Sequence, residues 1–596
     1  MTERIGRDGA THGTLLATEP GRHRISRASS AALCCLAALT WQCSSDPESS
    51  LPELETGGAS AMAGGAKSAG SGGSSAAGRG SGGKSATSMG GTASGSGGSA
   101  TVEPTGGKAA AGGNATGGKS GSGPTGGRSS SGGSGGRPAT GGSSNSSGGS
   151  PVDPNPNPSG FTDFEPADDA RVIYVSSSEG DDANDGLSED SPVATAAKGV
   201  SLLRDGFPDH LLFKRGDVWE SGLGQWKLSG RSPEERMVVG AYGDGERPRF
   251  EFTEKAVFTH GGGGAPPSND NLAFTGLHFL GVTHDVTRGP PSGENGLCVF
   301  FLRPSSDVLW EDNKFEYCQV TAQSEMPGTI QRWRFNRNLF LSSYSIVDGV
   351  HAQGIFMSGV VSFVIEESIF DLCGWHPDVP AAKPTIYNHC VYWQANAAAD
   401  GILRNNIIMR GSSHGAQMRS SGRVEGNVFA RNGIAGFLAG DYNAAPDGVQ
   451  GTVVGNVFSE SQDITPRDGH EGNDTRGWGF DLLPKEGFAN ITYSGNLYSK
   501  CGGSGQCQTS PSTFPDSRIE DNVIWDWTSP RGSDLKVTPG PFPDPDRTVA
   551  KYNESLGGEA TFDGFAAQLR QQSRANWRDE YTARAIVAYF RDGFGL

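Results

Sequence analysis

The stretch ILRNNIIMRGSSHGAQMRSSGRVEGNVFA, residues 402–430, decides the fold of this chain. It contains two copies of one pattern, ILRNNIIM at 402–409 and RVEGNVFA at 423–430. In each copy, polar or small residues and an Asn separate two short apolar segments. The two Asn residues, Asn406 and Asn427, lie 21 positions apart. Because Asn and Gly tolerate left-handed backbone, each copy predicts two short strands joined by a tight turn.

The pattern recurs down the chain with Asn at the same place in each copy. The shared residues are Asn313, Asn338, Asn406, Asn427, Asn456, Asn496 and Asn522, and two weaker copies place Leu277 and Ser368 there. Successive spacings of 36, 25, 30, 38, 21, 29, 40 and 26 residues indicate a fixed coil plus loops of changing length. Stacked Asn side chains can satisfy one another and the neighbouring backbone. The repeat therefore predicts an all-β right-handed parallel β-helix of about nine or more coils.

A third apolar segment between each Asn and the next copy predicts a third strand per coil. These segments are LCVFFL (297–302), GIFMSG (354–359), CVYWQA (390–395), AQMRSS (416–421) and AGFLAG (435–440). Successive side chains of a strand point to opposite faces. The alternation places Met357, Val391, Trp393, Ala416 and Met418 inward, and Phe356, Tyr392, Gln394, Gln417 and Arg419 outward.

The segments that flank the repeat predict covers for its open sheet edges. At the start, Ser191 as N-cap with Pro192 at the first helical position predicts a helix after a strand and a turn. At the end, two apolar stripes predict two amphipathic helices. The stripes are Phe562, Phe565 and Leu569 in one helix and Ile586, Tyr589 and Phe590 in the other.

The N-terminal region predicts export and a tether. Arginines precede an apolar run at 31–41 that is too short to span a bilayer, and Cys43 follows. This order resembles a bacterial lipoprotein signal, which implies lipidation of Cys43; plain secretion is the alternative. The following Gly/Ser-rich stretch buries too little apolar surface to offset chain entropy, which predicts a disordered linker.

The expected organisation has five segments. They are an export signal at 1–43, the linker at 44–160, an N-terminal cap with the first coils at 161–255, the β-helix at 256–545 and a C-terminal helical cap at 546–596.

Charge and cysteine content limit the partners. The formal net charge is −17, and an acidic chain repels phosphate backbones, so we expect no nucleic-acid partner. We expect a monomer that contacts membrane only through the N-terminal lipid anchor. No Cys/His spacing indicates a metal site. Cys501 and Cys507 can close a disulfide loop, while the alternative is that most Cys residues are small buried apolar side chains.

The N-terminal part of the repeat region carries a family resemblance. YVSSSEGDDANDGLSEDSPVATAAKG (174–199), followed by LLFKRGDVW (211–219), resembles the opening of secreted right-handed parallel β-helix proteins of the pectate-lyase-like superfamily. The resemblance covers about residues 171–596 and implies the fold. That superfamily holds lyases, hydrolases, epimerases and non-catalytic adhesins, so the resemblance leaves the chemistry open.

Candidate catalytic groups cluster on consecutive coils. His389 and His414 open the third strand at equivalent places one coil apart, so we expect them to stack about 4.8 Å apart. For β-elimination on a uronate sugar, Arg419 or Arg410 neutralises the carboxylate, a neutral His acts as base and Tyr392 as acid. Stacked cations depress one another's pKa, which favours the neutral base. The alternative is a structural polar ladder bonded to turn carbonyls.

Further candidate binding residues surround this cluster. They are Gln417, Gln394 and His351 on the strands, and His376, Lys383 and Trp375 in the long loop at 374–389. A second long insert occupies 464–479. Loops longer than the coil requires often carry binding, and their Trp residues can stack on sugar rings. The alternative is that the aromatic residues pack their own loops.

These features favour a polysaccharide lyase that cleaves an anionic, uronate-containing polysaccharide. A non-catalytic surface protein that binds glycan is the main alternative, with a hydrolase or epimerase behind it. Hydrolysis needs paired carboxylates, and the outward third-strand positions are poor in them. The sequence establishes no cofactor and leaves Ca²⁺ as the one candidate. GDDANDG at 180–186 resembles a Ca²⁺-binding turn, but an ordinary Asx-rich turn is the preferred interpretation.

Overall fold

The computed structural model describes residues 160–259, 268–324, 329–347, 349–394, 400–420, 422–439, 449–461, 464, 478–483, 488–501, 517–526 and 538–596. The predicted export signal, the linker up to residue 159, and Cys507 lie outside these residues. Within them, four sheets form, and all their strands pair in parallel with the strand of the next coil. Because crossovers between parallel strands are right-handed, the chain winds as a right-handed parallel β-helix. No described helix is long and apolar enough to cross a membrane.

Most described coils contribute one strand to each of three long sheets. The first sheet comprises Val172–Val175, His210–Lys214, Met237–Tyr242, Leu272–Thr275, Val308–Glu311, Arg334–Asn336, Val364–Glu366, Ile402–Arg404, Gly422–Glu425, Val449–Val454, Phe488–Ser494 and Arg518–Glu520. The second comprises Val218–Trp219, Arg249–Phe252, His278–Gly281, Lys314–Glu316, Leu339–Leu341, Ile369–Asp371, Ile407–Met409, Val428–Ala430, Val457–Ser461, Leu497–Cys501 and Val523–Trp525. The third comprises Gly224–Gln225, Lys255–Thr259, Gly296–Phe301, Cys318–Gln323, Ile355–Ser358, Val391–Trp393, His414–Met418, Ile434–Ala439 and Trp478–Leu483. A short fourth sheet comprises Ser305–Ser306, Ile330–Gln331 and Val360–Val361.

The predicted Asn ladder is confirmed, and its members are fully buried. Each side-chain oxygen accepts the backbone N–H of the ladder residue one coil before, as Asn427 Oδ1 does from Asn406 N at 2.9 Å. The Asn427 Nδ2 donates to Leu403 O at 2.9 Å, so one side-chain amide satisfies two backbone groups of the preceding coil. Ser368 occupies a ladder position, and its Oγ accepts from Asn338 N at 3.1 Å. The left-handed residue of the turn is the one before the ladder position, such as Asn405 with φ 54°.

The interior is filled by apolar side chains that stack from coil to coil. The predicted inward residues Met357, Val391, Trp393, Ala416 and Met418 are each at most 1% exposed. Aromatic rings stack along the axis, as Phe274 on Trp310 at a centroid distance of 4.2 Å and Phe340 on Phe370 at 4.3 Å. Such pairs add roughly 0.5–1.5 kcal/mol each beyond their area burial.

The N-terminal helix begins later than the sequence predicted. Helix α1 spans Ala196–Leu202, with Thr195 as its N-cap. The assignment of Ser191 as N-cap and Pro192 as first helical residue is therefore wrong. The reason is that Val193 forms a parallel bridge with the first strand, which keeps this segment extended.

The predicted C-terminal helical cap is present and contains three helices. Helices α2, α3 and α4 span Val549–Ser555, Phe562–Leu569 and Ala583–Phe594. Phe565, Leu569, Ile586 and Phe590 are fully buried, Phe562 is 3% exposed, and Tyr589 is half-buried. The helices pack on the outward apolar residues of the second sheet, which include Leu339, Ile369, Ile407, Val428, Val457, Leu497 and Val523. They thus cover the flank of the coil stack.

Four cysteines lie buried in the third-sheet region. Cys298 and Cys318 form a disulfide between neighbouring coils, which the sequence did not indicate. Cys373 and Cys390 are free thiols. Burial raises the pKa of the Cys373 thiol, and the adjacent Cys390 adds to the effect. The Cys373 thiol is therefore protonated, and both cysteines are small buried core residues, as expected for most of the cysteines.

Candidate functional site

The predicted outward residues share one face of the third sheet. Strand register places Phe356 beside Tyr392 and Tyr392 beside Gln417. Because Trp393 pairs with Met418, Gln394 and Arg419 hold the next outward position on their coils. The sequence alternation therefore identified this face.

The two histidines and Tyr392 form a compact cluster at the start of these strands. The ring centroids of His389 and His414 are 5.1 Å apart, close to the one-coil spacing that the sequence predicted. The Tyr392 ring centroid is 5.0 Å from that of His389. The Arg419 Cζ lies 5.6 Å from the Tyr392 ring centroid, so the guanidinium covers the phenol. The four predicted catalytic residues thus come together.

Two glutamines position the cluster and were missed from the sequence. The Gln319 Oε1 accepts from Gln353 N at 2.7 Å, and the Gln353 Oε1 accepts from His389 N at 2.6 Å. Gln353 also donates through Nε2 to Tyr387 O at 2.9 Å. This ladder fixes the backbone of His389 from the coil before it. The signal available in the sequence was position, since Gln353 precedes His389 by about one coil and Gln319 by about two coils.

The cluster combines burial with unsatisfied polar atoms. His389, His414, Tyr392 and Gln417 are each less than 10% exposed, whereas Arg419 is half-buried. The His389 Nδ1, the Gln417 Oε1 and the Ser420 Oγ are buried without a hydrogen-bond partner in the described part of the chain. A buried polar atom without a partner costs about 1–3 kcal/mol. Ligand groups that bind these atoms would recover that energy.

Both histidines are held neutral. Burial lowers the pKa of His389 well below its usual range, and His414, Arg419 and His351 lower it further, while the Gln417 amide acts in the opposite direction. Burial, followed by the Arg419 charge, lowers the pKa of His414 to about 3. The Ser413 Oγ lies 2.9 Å from His414 Nδ1. The sequence predicted that the stacked rings lower each other's pKa. His414 does lower the pKa of His389, but burial lowers it more.

Arg410 does not belong to this cluster, which corrects the sequence-based assignment. Its Nη2 and Nε bind Asp371 at 2.6 and 2.7 Å, and its Nη1 binds Asp563 of α3 at 2.8 Å. Arg410 has φ 49°, so it stands in a left-handed turn and does not follow strand alternation. It therefore ties the second sheet to the helical cap.

The loop at 374–389 supports the corner between the second and third sheets. The Trp375 Nε1 donates to Arg410 O at 2.7 Å. His376 is 7% exposed, and its ring centroid lies 5.3 Å from that of Tyr344. Trp375 and His376 thus attach the loop to the neighbouring residues Arg410 and Tyr344. Lys383 is exposed on that loop.

His351 and the second long loop complete the candidate set. His351 is exposed, with its ring centroid 5.3 Å from that of Tyr387, and its charge acts on His389. It therefore lies at the accessible side of the cluster. Most of the 464–479 loop lies outside the described residues.

The acidic N-terminal turn uses its carboxylates as hydrogen-bond acceptors. The Asp181 Oδ1 accepts from Ala183 N at 2.9 Å, which is an Asx turn. The Asp182 carboxylate accepts from the Thr195 backbone N at 2.9 Å and from Thr195 Oγ1 at 2.8 Å. This supports the Asx-rich interpretation of the turn. Among the described residues, no group of three or more His, Cys, Asp or Glu is arranged to hold a metal ion.

The parallel sheets and the buried ladder define a right-handed parallel β-helix, the fold expected from the resemblance to the pectate-lyase-like superfamily. No protein-family model matches the chain, and no curated protein matches it. Similar solved structures include a lacto-N-biosidase from Eubacterium ramulus, at 15% identity over 62% of this chain and TM-score 0.34. The chain spans 66% of the length of that enzyme.

Other similar structures belong to proteins with different activities. An alginate lyase from Paenibacillus sp. has 10% identity over 58% of this chain and 99% of its own, with TM-score 0.37. The surface adhesin PfbA of Streptococcus pneumoniae has 11% identity over 55% of this chain and 78% of its own, with TM-score 0.36. The function of this chain must therefore be inferred from the residues of its own site.

Proposed function

We propose that this chain is an exported carbohydrate-active protein whose third-sheet face cleaves an anionic, uronate-containing polysaccharide by β-elimination. The observation that carries the proposal is the cluster of His389, His414, Tyr392 and Arg419 around two unpartnered buried atoms, the His389 Nδ1 and the Gln417 Oε1. Neutral ring nitrogens, a phenol and a fixed cation are the groups that this reaction requires.

Each group has one role in the proposed reaction. Arg419 neutralises the sugar carboxylate, because a guanidinium stays charged and can bind it in a bidentate manner. In the tautomer that carries its proton on Nε2, His389 presents Nδ1 as the base that removes the C5 proton. The C4–O bond then breaks as the C4–C5 double bond forms, and Tyr392 donates a proton to the leaving oxygen. His414 lies beside His389 and is the second candidate base.

The same face disfavours hydrolysis. In the described strands of the third sheet between residues 318 and 418, the outward positions carry Gln, Thr, Phe, Ser, Tyr and His, without Asp or Glu. Glycoside hydrolysis uses two carboxyl groups on either side of the scissile bond. The proposed elimination needs none, because its base is an imidazole.

Non-catalytic glycan binding is the second candidate function, and burial favours it. His389 and His414 are 2% and 4% exposed, whereas Phe356 and Arg419 are more accessible. An aromatic ring beside a cation is a surface that binds an acidic sugar without reacting with it. In this case the histidines support the face and do not exchange protons.

Lyase assays separate the two candidates. Purified chain is incubated with alginate, pectate and glycosaminoglycans across pH, with and without Ca²⁺, and absorbance of the unsaturated uronate product is recorded. We expect product from at least one polymer, and less product in His389→Ala. If no polymer yields product but one binds, the binding function is supported. If none reacts or binds, both candidates are wrong.

Export and anchoring are further parts of the proposal and rest on the sequence alone. Cell fractionation with labelled fatty acid in a bacterial host is expected to place the chain in the envelope and to label it. Cys43→Ser should abolish the label. An unlabelled chain in the medium would support plain secretion.

A further inference from the structure

A second cleft lies on the outward face of the first sheet, where the start of α4 approaches it. Its volume is about 650 Å³, within the range of small-molecule sites. The first-sheet residues that line it include Arg334, Glu366 and Arg404, and Arg584 of α4 lies opposite. It is separate from the third-sheet cluster, because it uses another sheet and the helical cap.

The cleft is rich in positive charge although the whole chain is acidic. Four guanidinium groups line it, those of Arg334, Arg337, Arg404 and Arg584, with three carboxylates. The Glu366 carboxylate is shared by Arg334 at 2.5 Å and Arg404 at 2.6 Å. The Glu367 carboxylate is likewise shared by Arg337 at 2.7 Å and Arg584 at 2.5 Å. With Asp579 as the third carboxylate, four cations face three anions, which leaves one net positive charge to attract a further anion.

Arg337 is the buried member of this set and has spare donor capacity. It is 6% exposed, and its Cζ lies 4.5 Å from the Phe161 ring centroid and 4.4 Å from that of Trp577. Its Nε donates to Glu367 at 2.7 Å, but its Nη1 is buried without a partner among the described residues. The Arg337 Nη1 is a donor, so a ligand that binds it must supply an acceptor oxygen.

We propose that this cleft binds a small carboxylate-bearing ligand of the acidic-sugar class. The carboxylate supplies the oxygens that the donors lack, because carboxylates and guanidinium groups form short charge-assisted hydrogen bonds. The cleft volume accommodates the rest of a small sugar. This proposal does not require catalysis at the third sheet.

Calorimetric titration of the purified chain with galacturonate tests the proposal. Galactose, which has the same ring without the carboxylate, is the matched ligand control, and inorganic sulfate is the oxyanion control. We expect galacturonate to bind and galactose not to bind. Equal competition by sulfate would overturn the assignment to a carboxylate sugar, and absence of galacturonate binding would overturn the site.

Variants assign the binding to this cleft. Arg404→Gln and Arg584→Gln should each weaken galacturonate binding at least tenfold, while Arg334 and Arg337 still pair the two glutamates and preserve the fold. The matched control is Arg423→Gln, because Arg423 lies on the same outward face, pairs with Glu425 and does not line the cleft. Unchanged galacturonate binding in both Arg404→Gln and Arg584→Gln would place the ligand outside this cleft. If Arg419→Ala abolishes the binding and the cleft variants do not, the ligand occupies the third sheet and the proposal is wrong.

Discussion

The outward faces of the first and third sheets are built on the same coils but present opposite chemistry. On the first sheet, Arg334 and Arg404 both bind Glu366, so charge is paired along the surface. On the third sheet, His389 and His414 stack as neutral rings beside Arg419. The unpartnered buried atoms differ accordingly: a guanidinium donor at Arg337 and an imidazole nitrogen at His389.

This difference shows that the β-helix uses one set of side chains to hold the coils together and another set, on its outward faces, for binding or reaction. Inward residues and the Asn ladder hold every coil in the same way, so the outward positions vary freely. Paired charges with spare donors suit the binding of an anion. Neutral histidines present a ring-nitrogen lone pair, which is the group that the proposed elimination uses as its base. The predictions below test this separation, from the largest expected effect to the smallest.

The inward position beside Arg419 should be far less tolerant than Arg419 itself. Met418→Arg places a charge where the side chain is fully buried, and we expect a loss of about 4 kcal/mol or more in the free energy of unfolding. Urea unfolding measures it. Met418→Leu, which nearly conserves volume, should cost less than about 1.5 kcal/mol. A well-folded Met418→Arg chain would show that the strand register is wrong.

The ladder should be the next most sensitive element. Asn427→Ala removes the acceptor for Asn406 N and the donor for Leu403 O, both buried, which should cost about 2–4 kcal/mol. Asn427→Ser is the matched control, because Ser368 already fills a ladder position with its Oγ. We expect Ser to recover part of the loss. Equal unfolding free energies for Ala and wild type would contradict the ladder's role.

How far the sequence predicts this molecule follows from the same separation. The Asn spacing and strand alternation gave the ladder, the inward residues and the convergence of His389 with His414, because these follow from local periodicity. Arg410 was misplaced because its left-handed backbone interrupts the alternation. The cleft around Arg337 was not predicted, since it depends on contact with α4, more than 200 residues away in the chain. Long-range packing has no local sequence pattern.

If the third-sheet cluster is catalytic, Arg419 should matter more than either histidine. Arg419→Ala removes a charge-assisted contact with the sugar carboxylate, which is expected to lower kcat/KM about ten- to a hundredfold. Because the side chain faces outward, the fold should survive. His414→Ala should have a smaller effect than Arg419→Ala, since His389 can still act as base. Unchanged activity and glycan binding in Arg419→Ala would move the search to the 464–479 loop.

Acidification should destabilise the third-sheet face through its histidines. The pKa of folded His414 is lowered to about 3, whereas an unfolded His titrates near 6.5. As the pH falls below about 6.5, the unfolded chain therefore takes up a proton that the folded chain refuses, and stability is lost until about pH 3. The expected loss from this residue is about 1.4 kcal/mol per pH unit. Urea unfolding at pH 7.5 and 5 measures it, and His414→Gln, which does not titrate, should reduce the slope by about that amount. An unchanged slope in His414→Gln would mean that His414 is protonated in the folded chain. The third sheet would then not carry the neutral rings that distinguish its outward face from that of the first sheet.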